Sequence, residues 1–345
     1  MRLISSLLLL LAIALFSCKK SDPTVKDNVQ LHNGMMVLCE GLYQQNNSTL
    51  SFVNFNSNQV LNNFFLSTSK RALGDTGNDM KRYGGKIYVI MNGSNTVEVI
   101  SGVTGLSIKQ IEMTDNGVGK QPRSVAFYQD KILVSCYDGF VDVIDTTTLL
   151  VEQRILVGSN PEGLAVSNDK LFVANSGGLS FPNADSTVSV VDLTTFTELQ
   201  KITVGLNPVG VEVDDQGDIY VITRGNYGSI PSRLNKINPM SYAVTQFTFD
   251  ASSMIRMNGN FLIAYSDFAT GDKNVAIFNP ISDAISNPNF LDLTGVESIY
   301  GMAYHPVLNR IYLSDAKDFV TTGYVFVFDQ SGAQIQNYHV GLNPS

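Results

Sequence analysis

A five-residue phrase recurs along this chain and limits what it can fold into more than any other feature. Val157-Gly158-Ser159-Asn160-Pro161 returns as Val204-Gly205-Leu206-Asn207-Pro208 and as Val340-Gly341-Leu342-Asn343-Pro344, with a looser copy at Val118-Gly119-Lys120-Gln121-Pro122. The prolines are 39, 47 and 136 residues apart, and the last gap is three periods of about 45. After Pro161 the chain reads EGLAV, a turn, KLFVAN, a loop, TVSVVD, a turn and FTELQKITV; after Pro208 the same order holds. These runs are short and rich in β-branched and aromatic residues, which marks strands. Four strands per module at this period predict the blade of a β-propeller.

The second strand of each module gives the count. Lys86-Ile87-Tyr88-Val89, Lys131-Ile132-Leu133-Val134, Lys170-Leu171-Phe172-Val173, Asp218-Ile219-Tyr220-Val221, Asn260-Phe261-Leu262-Ile263 and Arg310-Ile311-Tyr312-Leu313 are six copies, and Met35-Met36-Val37-Leu38 is a seventh. The expected fold is therefore all-β, a seven-bladed propeller of four-stranded antiparallel blades over residues 33–345. Helix-period patterns of useful length are absent after residue 30. The first blade reads as three strands, near 35–40, 48–55 and 59–66, with no innermost strand before them. Asn343-Pro344 would begin that strand, so the ring closes with less than a full strand or the chain runs on beyond Ser345.

Residues 1–17 stand apart from the repeats. Arg2 precedes an apolar run from Leu7 to Phe16, and Leu15-Phe16-Ser17-Cys18 ends it. The run is too short for a permanent membrane span and reads as a secretory signal. Its end is similar to a bacterial lipobox, which implies lipidation of Cys18; an ordinary signal peptide with an incidental cysteine is the other reading. Residues 18–32 are expected to be a flexible tether.

Composition narrows the chemistry. A formal charge of −8 makes the chain a poor partner for nucleic acid. Cys39 and Cys136 fall in second strands of non-neighbouring blades, too far apart for a disulfide, and read as small buried hydrophobes. The three histidines, His32, His305 and His339, show no metal-ligand spacing. No tryptophan is present, against the tryptophan-rich docking motifs of quinoprotein propellers. No nucleophile elbow, P-loop or dinucleotide fingerprint appears. The chain is expected not to be an enzyme and to need no cofactor or metal. Asp145, Asp192 and Asp329 sit where aspartates cap turns; Asp138, Asp185, Asp267, Asp315 and Asp318 fall in loops between second and third strands.

In a four-stranded blade those loops and the blade-to-blade connections emerge on one face. There they are long and varied, whereas the turns on the other face are short, as at Asn168-Asp169 and Ser331-Gly332. The long-loop face is the one built to present function. Its loops pair aromatics with amides or charges, which suits a large, polar, partly apolar ligand. The candidate contacts are Tyr43, Asn46, Asn47, Phe181, Asn183, Arg224, Tyr227, Asp267, Phe268, Asp315, Lys317 and Phe319. Arg123 and Glu162 follow the phrase prolines at the channel mouth, where they meet a ligand or pair with each other across neighbouring blades; Lys70, Arg71 and Tyr300 join that region.

The repeats resemble the YVTN-type seven-bladed propellers, which include YncE-like periplasmic proteins. The pattern VGxNPxGxxV, then K-I-F/Y-V-A-N, then V-S-V-V-D, covers blades three to five well and the others loosely. Glu40-Gly41 with Asn46 to Leu50, Asn175-Ser176-Gly177-Gly178, Tyr227 to Pro231 and Asp315 to Asp318, together with the lipobox, are similar to surface lipoproteins of gut-type Gram-negative bacteria. That group includes propellers that capture vitamin B12 and pass it to a TonB-dependent outer-membrane transporter. The resemblance implies a lipid-anchored outer-membrane protein, at the cell surface or facing the periplasm, that captures a corrinoid. An envelope interaction scaffold and a lactonase-like hydrolase are the alternatives.

Overall fold

The computed structural model describes Leu31, residues 33–266 and residues 270–345. The signal segment, Cys18 and the tether apart from Leu31 lie outside the described residues, as do Asp267 and Phe268. Each phrase proline has a defined place. Pro122, Pro161 and Pro208 open innermost strands, Pro344 takes the equivalent place as an isolated bridge, and all four pair with the last residue of the next strand outward: Cys136, Asn175, Thr223 and Cys39. The residue before each proline is left-handed, with φ of 53° at Gln121, 45° at Asn160, 58° at Asn207 and 51° at Asn343. Among side-chain-bearing residues asparagine tolerates that conformation best, which accounts for the recurring Asn-Pro.

Seven antiparallel sheets follow in chain order, each strand pairing with the next. The third is representative: Pro122–Tyr128, Lys131–Cys136, Phe140–Asp145 and Val151–Leu156. Six sheets have four strands and the first has three, Gly34–Cys39, Thr49–Asn54 and Gln59–Leu61. The fold is thus the expected all-β propeller of seven blades. The core is divided accordingly: seven apolar clusters lie between neighbouring blades, and the one joining blades seven and one contains Val37, Cys39, Tyr312, Val325 and Val340. Cys39 and Cys136 are buried and free.

The C-terminal segment closes the ring. Glu40 N–H donates to Asn343 O (2.9 Å), Ser345 N–H to Leu38 O (2.9 Å) and the Asn343 side chain to Gly41 O (2.9 Å). Asn343-Pro344-Ser345 therefore occupies the first positions of the first blade's innermost strand.

Three features depart from the sequence reading. Residues 59–66 are not one strand: pairing stops at Leu61, and Phe64–Ser69 form a short helix that buries Phe64 and Phe65 between blades one and two. A small hairpin, Thr114–Asp115 with Val118–Gly119, stands between blades two and three. Third strands also carry a buried polar side chain at one register position: Ser51, Glu98, Asp142, Ser189 and Asn235, each opposite a valine of the second strand. All five are hydrogen-bonded, as burial demands.

The Asp142 position holds a charge cluster. Lys120 Nζ lies 2.6 Å from Asp142 Oδ2, with side-chain exposures of 6% and 0%. Arg154 donates from Nε to Asp142 Oδ1 (2.8 Å), bonds Asp138, and stacks 4.1 Å over the Phe140 ring. Among the described residues no helix is long and apolar enough to cross a membrane.

Candidate functional site

In six blades the residue after the second strand lands on the rim of the long-loop face, the upper face, because its N–H donates to the carbonyl before the phrase proline or its equivalent. Glu40, Asn92, Tyr137, Ser176, Arg224 and Ala316 are all placed this way. One register position thus carries an acid, an amide, a phenol and a cation around the channel mouth. The glycines that follow Ser176 and Arg224 are required by the turn. Gly177 and Gly225 have φ of +60° and +65°, and a Cβ would come within 2.2 Å of Asp185 N and 1.9 Å of Ile230 O.

Arg123 and Glu162 pair with each other across blades three and four. Nε and Nη2 of Arg123 donate to the two carboxylate oxygens at 2.9 and 3.2 Å. Tyr137 donates its hydroxyl to the same carboxylate, and the guanidinium lies 4.6 Å over the Tyr137 ring. Across the mouth, Tyr300 donates to Glu40 Oε2 at 2.5 Å. Burial pushes the Glu40 carboxyl up to about 7, against the opposing pull of Tyr300, Arg123 and Ser345. Burial likewise raises the Tyr137 and Tyr300 hydroxyls, reinforced by Glu162 and Glu40 respectively. Arg224 is exposed and has no hydrogen bond or ion pair for its guanidinium among the described residues.

The raised Glu40 value has a stability consequence. The folded chain holds this proton more tightly than the unfolded chain, whose carboxyl titrates near 4.5. The favourable contribution is complete below the unfolded value and is lost as pH rises through about 7. Glu40→Gln cannot ionise, so its melting temperature should fall less than the native protein's between pH 5 and pH 8. Parallel melting curves across that range would show that Glu40 titrates normally.

Beside the mouth the loops of blades one to four enclose a cavity of about 310 Å3. Tyr43, Gln44, Asn92, Asn95, Tyr137 and Leu179 line it, with Asp75 and Gln121. Tyr43 and Leu179 are mostly exposed, and so are Phe181 (61%) and Tyr227 (71%) on the same face. Exposure alone does not single out this face, since Met240, Ile281 and Val307 stand out from turns on the lower one. The combination of cavity, amides and aromatics does.

The remaining expected contacts divide. Asn46 is exposed at φ +50°, whereas Oδ1 of the Asn47 side chain accepts from Leu42 N–H and holds the Tyr43 loop. Asn183 is exposed in the Phe181 loop. The Tyr227 hydroxyl accepts from Asn207 Nδ2 at 3.3 Å. Phe319 packs edge-on against Tyr300, with ring centroids 5.7 Å apart. Lys317 lies 3.6 Å from Glu297 and over the Tyr324 ring. Asp315 belongs to the scaffold: it is buried and accepts from the N–H groups of Glu297, Ser298 and Lys317. Asp185 and Asp318 also cap their own loops, much as Asp145, Asp192 and Asp329 cap their turns. Lys70 donates to Ser67 O, and Arg71 pairs with Glu98 at 2.7 Å inside blade two. Sequence reading did not single out Asn92 and Tyr137 as candidate positions, and it placed Glu40 only within the blade-one loop. The signal that finds them is their shared place after the second strand, where residue type varies from blade to blade.

No group of three or more potential ligands could hold a metal ion among the described residues. Residues 33–342 match the family described as "Domain of unknown function (DUF5074)". No curated protein matches the chain. Among solved structures, a quinonprotein alcohol dehydrogenase-like protein from Bacteroides thetaiotaomicron superposes with a TM-score of 0.68 at 14% identity, covering 92% of this chain and 78% of that one. A Bacteroides uniformis protein described as a candidate 6-phosphogluconolactonase gives 0.64 at 13%, covering 90% and 98%. Hydrazine synthase from Kuenenia stuttgartiensis gives 0.59 at 18%, covering 72% and 74%. At such identities these likenesses establish the propeller and nothing about activity.

Proposed function

We propose that this chain, which belongs to the DUF5074 family, is a non-enzymatic binding protein of the bacterial envelope that captures a corrinoid or a similarly large, amide-fringed molecule on its upper face. The observation that carries this reading is the cavity lined by Tyr43, Gln44, Asn92, Asn95 and Tyr137, with exposed aromatics on the same face. Its volume is at the low end of small-molecule sites, which run to about 1,000 Å3. A ligand of corrinoid size would place one edge or arm there and lie across the face. Amides of the rim suit amide side arms, and aromatic surface suits an apolar macrocycle. Arg224, without a partner of its own among the described residues, suits the ligand's phosphodiester. Loops held by glycine turns and capping aspartates are preorganised, which lowers the ordering cost of binding. In this proposal Cys18 carries the lipid anchor, and the ligand passes to an outer-membrane transporter.

Calorimetry of the protein with cyanocobalamin and with cobinamide, which lacks the nucleotide and its phosphate, tests the reading. Binding should be saturable. Tyr43→Ala and Phe181→Ala should each weaken it about thirtyfold, the equivalent of about 2 kcal/mol for an anchoring aromatic. Arg224→Ala should weaken cyanocobalamin more than cobinamide. No heat and no rise in melting temperature at micromolar ligand would refute corrinoid capture.

A further inference from the structure

Every blade caps its outer hairpin in the same way on the lower face. A polar side chain at or just after the end of the third strand accepts from the N–H two residues on. Asn54 accepts from Asn56, Ser101 from Val103, Asp145 from Thr147, Asp192 from Thr194, Asn238 from Met240, Asn279 from Ile281 and Asp329 from Ser331. The two positions vary together. Where the donor residue is apolar, at Val103, Met240 and Ile281, the cap carries no charge. The aspartate caps serve only turns whose donor residue is threonine or serine. Either kind of cap makes the same hydrogen bond, so turn geometry does not require the exchange. Removal from water does, because a carboxylate resists it far more than an amide or a hydroxyl.

The apolar tips gather on one arc. Met240 and Ile281 stand on neighbouring blades five and six, and Val307 stands on the first turn of blade seven. At 83%, 80% and 86% they are the most exposed large apolar side chains among the described residues, ahead of a next value of 71%. Pro239 and Pro280 stiffen the first two tips. Charges where blades five and six meet are paired, Lys236 with Asp283 and Arg256 with Asp215. The chain also enters the propeller on this face. Leu31 N–H donates to Val103 O at 2.7 Å, on blade two, across the ring from the arc.

We propose that the lower face docks on a lipid bilayer, with Met240, Ile281 and Val307 entering the boundary between headgroups and acyl chains. This rests on the reading of Cys18 as a lipid anchor. Twelve residues separate Cys18 from Leu31, and a segment of that length reaches at most about 45 Å. An anchored propeller is therefore held close to its membrane by the lower face. A protein partner would need a continuous complementary patch of about 800 Å2 on each side. Single tips on separate blades offer none, whereas fluid lipid takes up protruding apolar groups without matching their shape. Docking in this sense leaves the upper-face cavity open to solvent.

The test attaches the protein to membranes independently of lipidation. The chain from residue 19, with a hexahistidine tag in place of residues 1–18, is bound to phosphatidylethanolamine–phosphatidylglycerol vesicles through nickel-chelating lipid. Cys39 and Cys136 are buried, so Ile281→Cys and Tyr227→Cys each take one NBD label, on the lower and the upper face. Spin-labelled lipid should quench the label at 281 and leave the label at 227 unchanged. Each buried tip is worth about tenfold in partitioning, so adding Met240→Ser and Val307→Ser should remove most of the quenching at 281. Equal quenching at the two positions, none at 281, or quenching at 281 that survives loss of both tips overturns the proposal. The anchor reading fails separately: an N-terminal peptide of the native protein without acyl mass sinks it and leaves the result for the face standing.

Discussion

Asp142→Ala should lower the unfolding free energy by about 3–5 kcal/mol, the cost of breaking a buried ion pair while leaving the partner behind. Asp142 is fully buried and accepts from both Lys120 and Arg154. Arg154 retains Asp138 and Asp115 after the substitution, but among the described residues the Lys120 ammonium has no other acceptor, and it is itself buried. The stranded charge is thus on Lys120. Lys120→Met should cost less than Asp142→Ala, because Asp142 keeps Arg154. The two combined should cost less than their sum, since the second change removes the group that the first left unpaired. Urea denaturation at neutral pH reads all three. Strict additivity, or an Asp142→Ala cost under about 1 kcal/mol, a surface-pair value, would mean that water reaches the cluster.

Removing Asn343, Pro344 and Ser345 should be nearly as damaging. It deletes three hydrogen bonds to blade one, each worth about 1 kcal/mol net, and exposes the end of the cluster between blades seven and one. A loss of about 3 kcal/mol is expected, with earlier hydrogen exchange in Gly34–Cys39 than in Lys131–Cys136. Uniform exchange across the two strands would show that the remaining contacts of Tyr338 to Leu342 with blade one hold the ring.

Blade number and strand order were legible because each rests on a repeated unit, and an error in one copy is corrected by the others. The charge cluster was not. In Phe140–Asp145 (FVDVID) the alternation makes Asp142 look solvent-facing, yet a blade is covered on both sides by its neighbours and alternation loses its meaning. The clue lay in the phrase itself. Lys120 stands where the other copies have Ser159, Leu206 and Leu342, so the departure from the repeat marked the buried pair. The helix Phe64–Ser69 was missed for a different reason. So short a helix leaves no periodicity to read, and its two phenylalanines favour a strand until the neighbouring blade's apolar surface is taken into account. At the candidate site, Asp315 was overvalued. Asp315 resembles a ligand contact in a loop sequence, but its oxygens are spent on nearby backbone N–H groups, as are those of the loop aspartates Asp185 and Asp318.

The joint between blades seven and one also sets a timetable. Gly41 and Asn343 meet across 302 positions of sequence. At about 5–20 residues per second of synthesis, the first strand waits roughly 15–60 s for its closing partner. Six inter-blade clusters can assemble as the chain lengthens. The seventh face, carrying Val37, Cys39 and Val53, stays uncovered until the last residues arrive. The newly made protein therefore passes through an open arc with one sticky end, and that arc is what chaperones would meet.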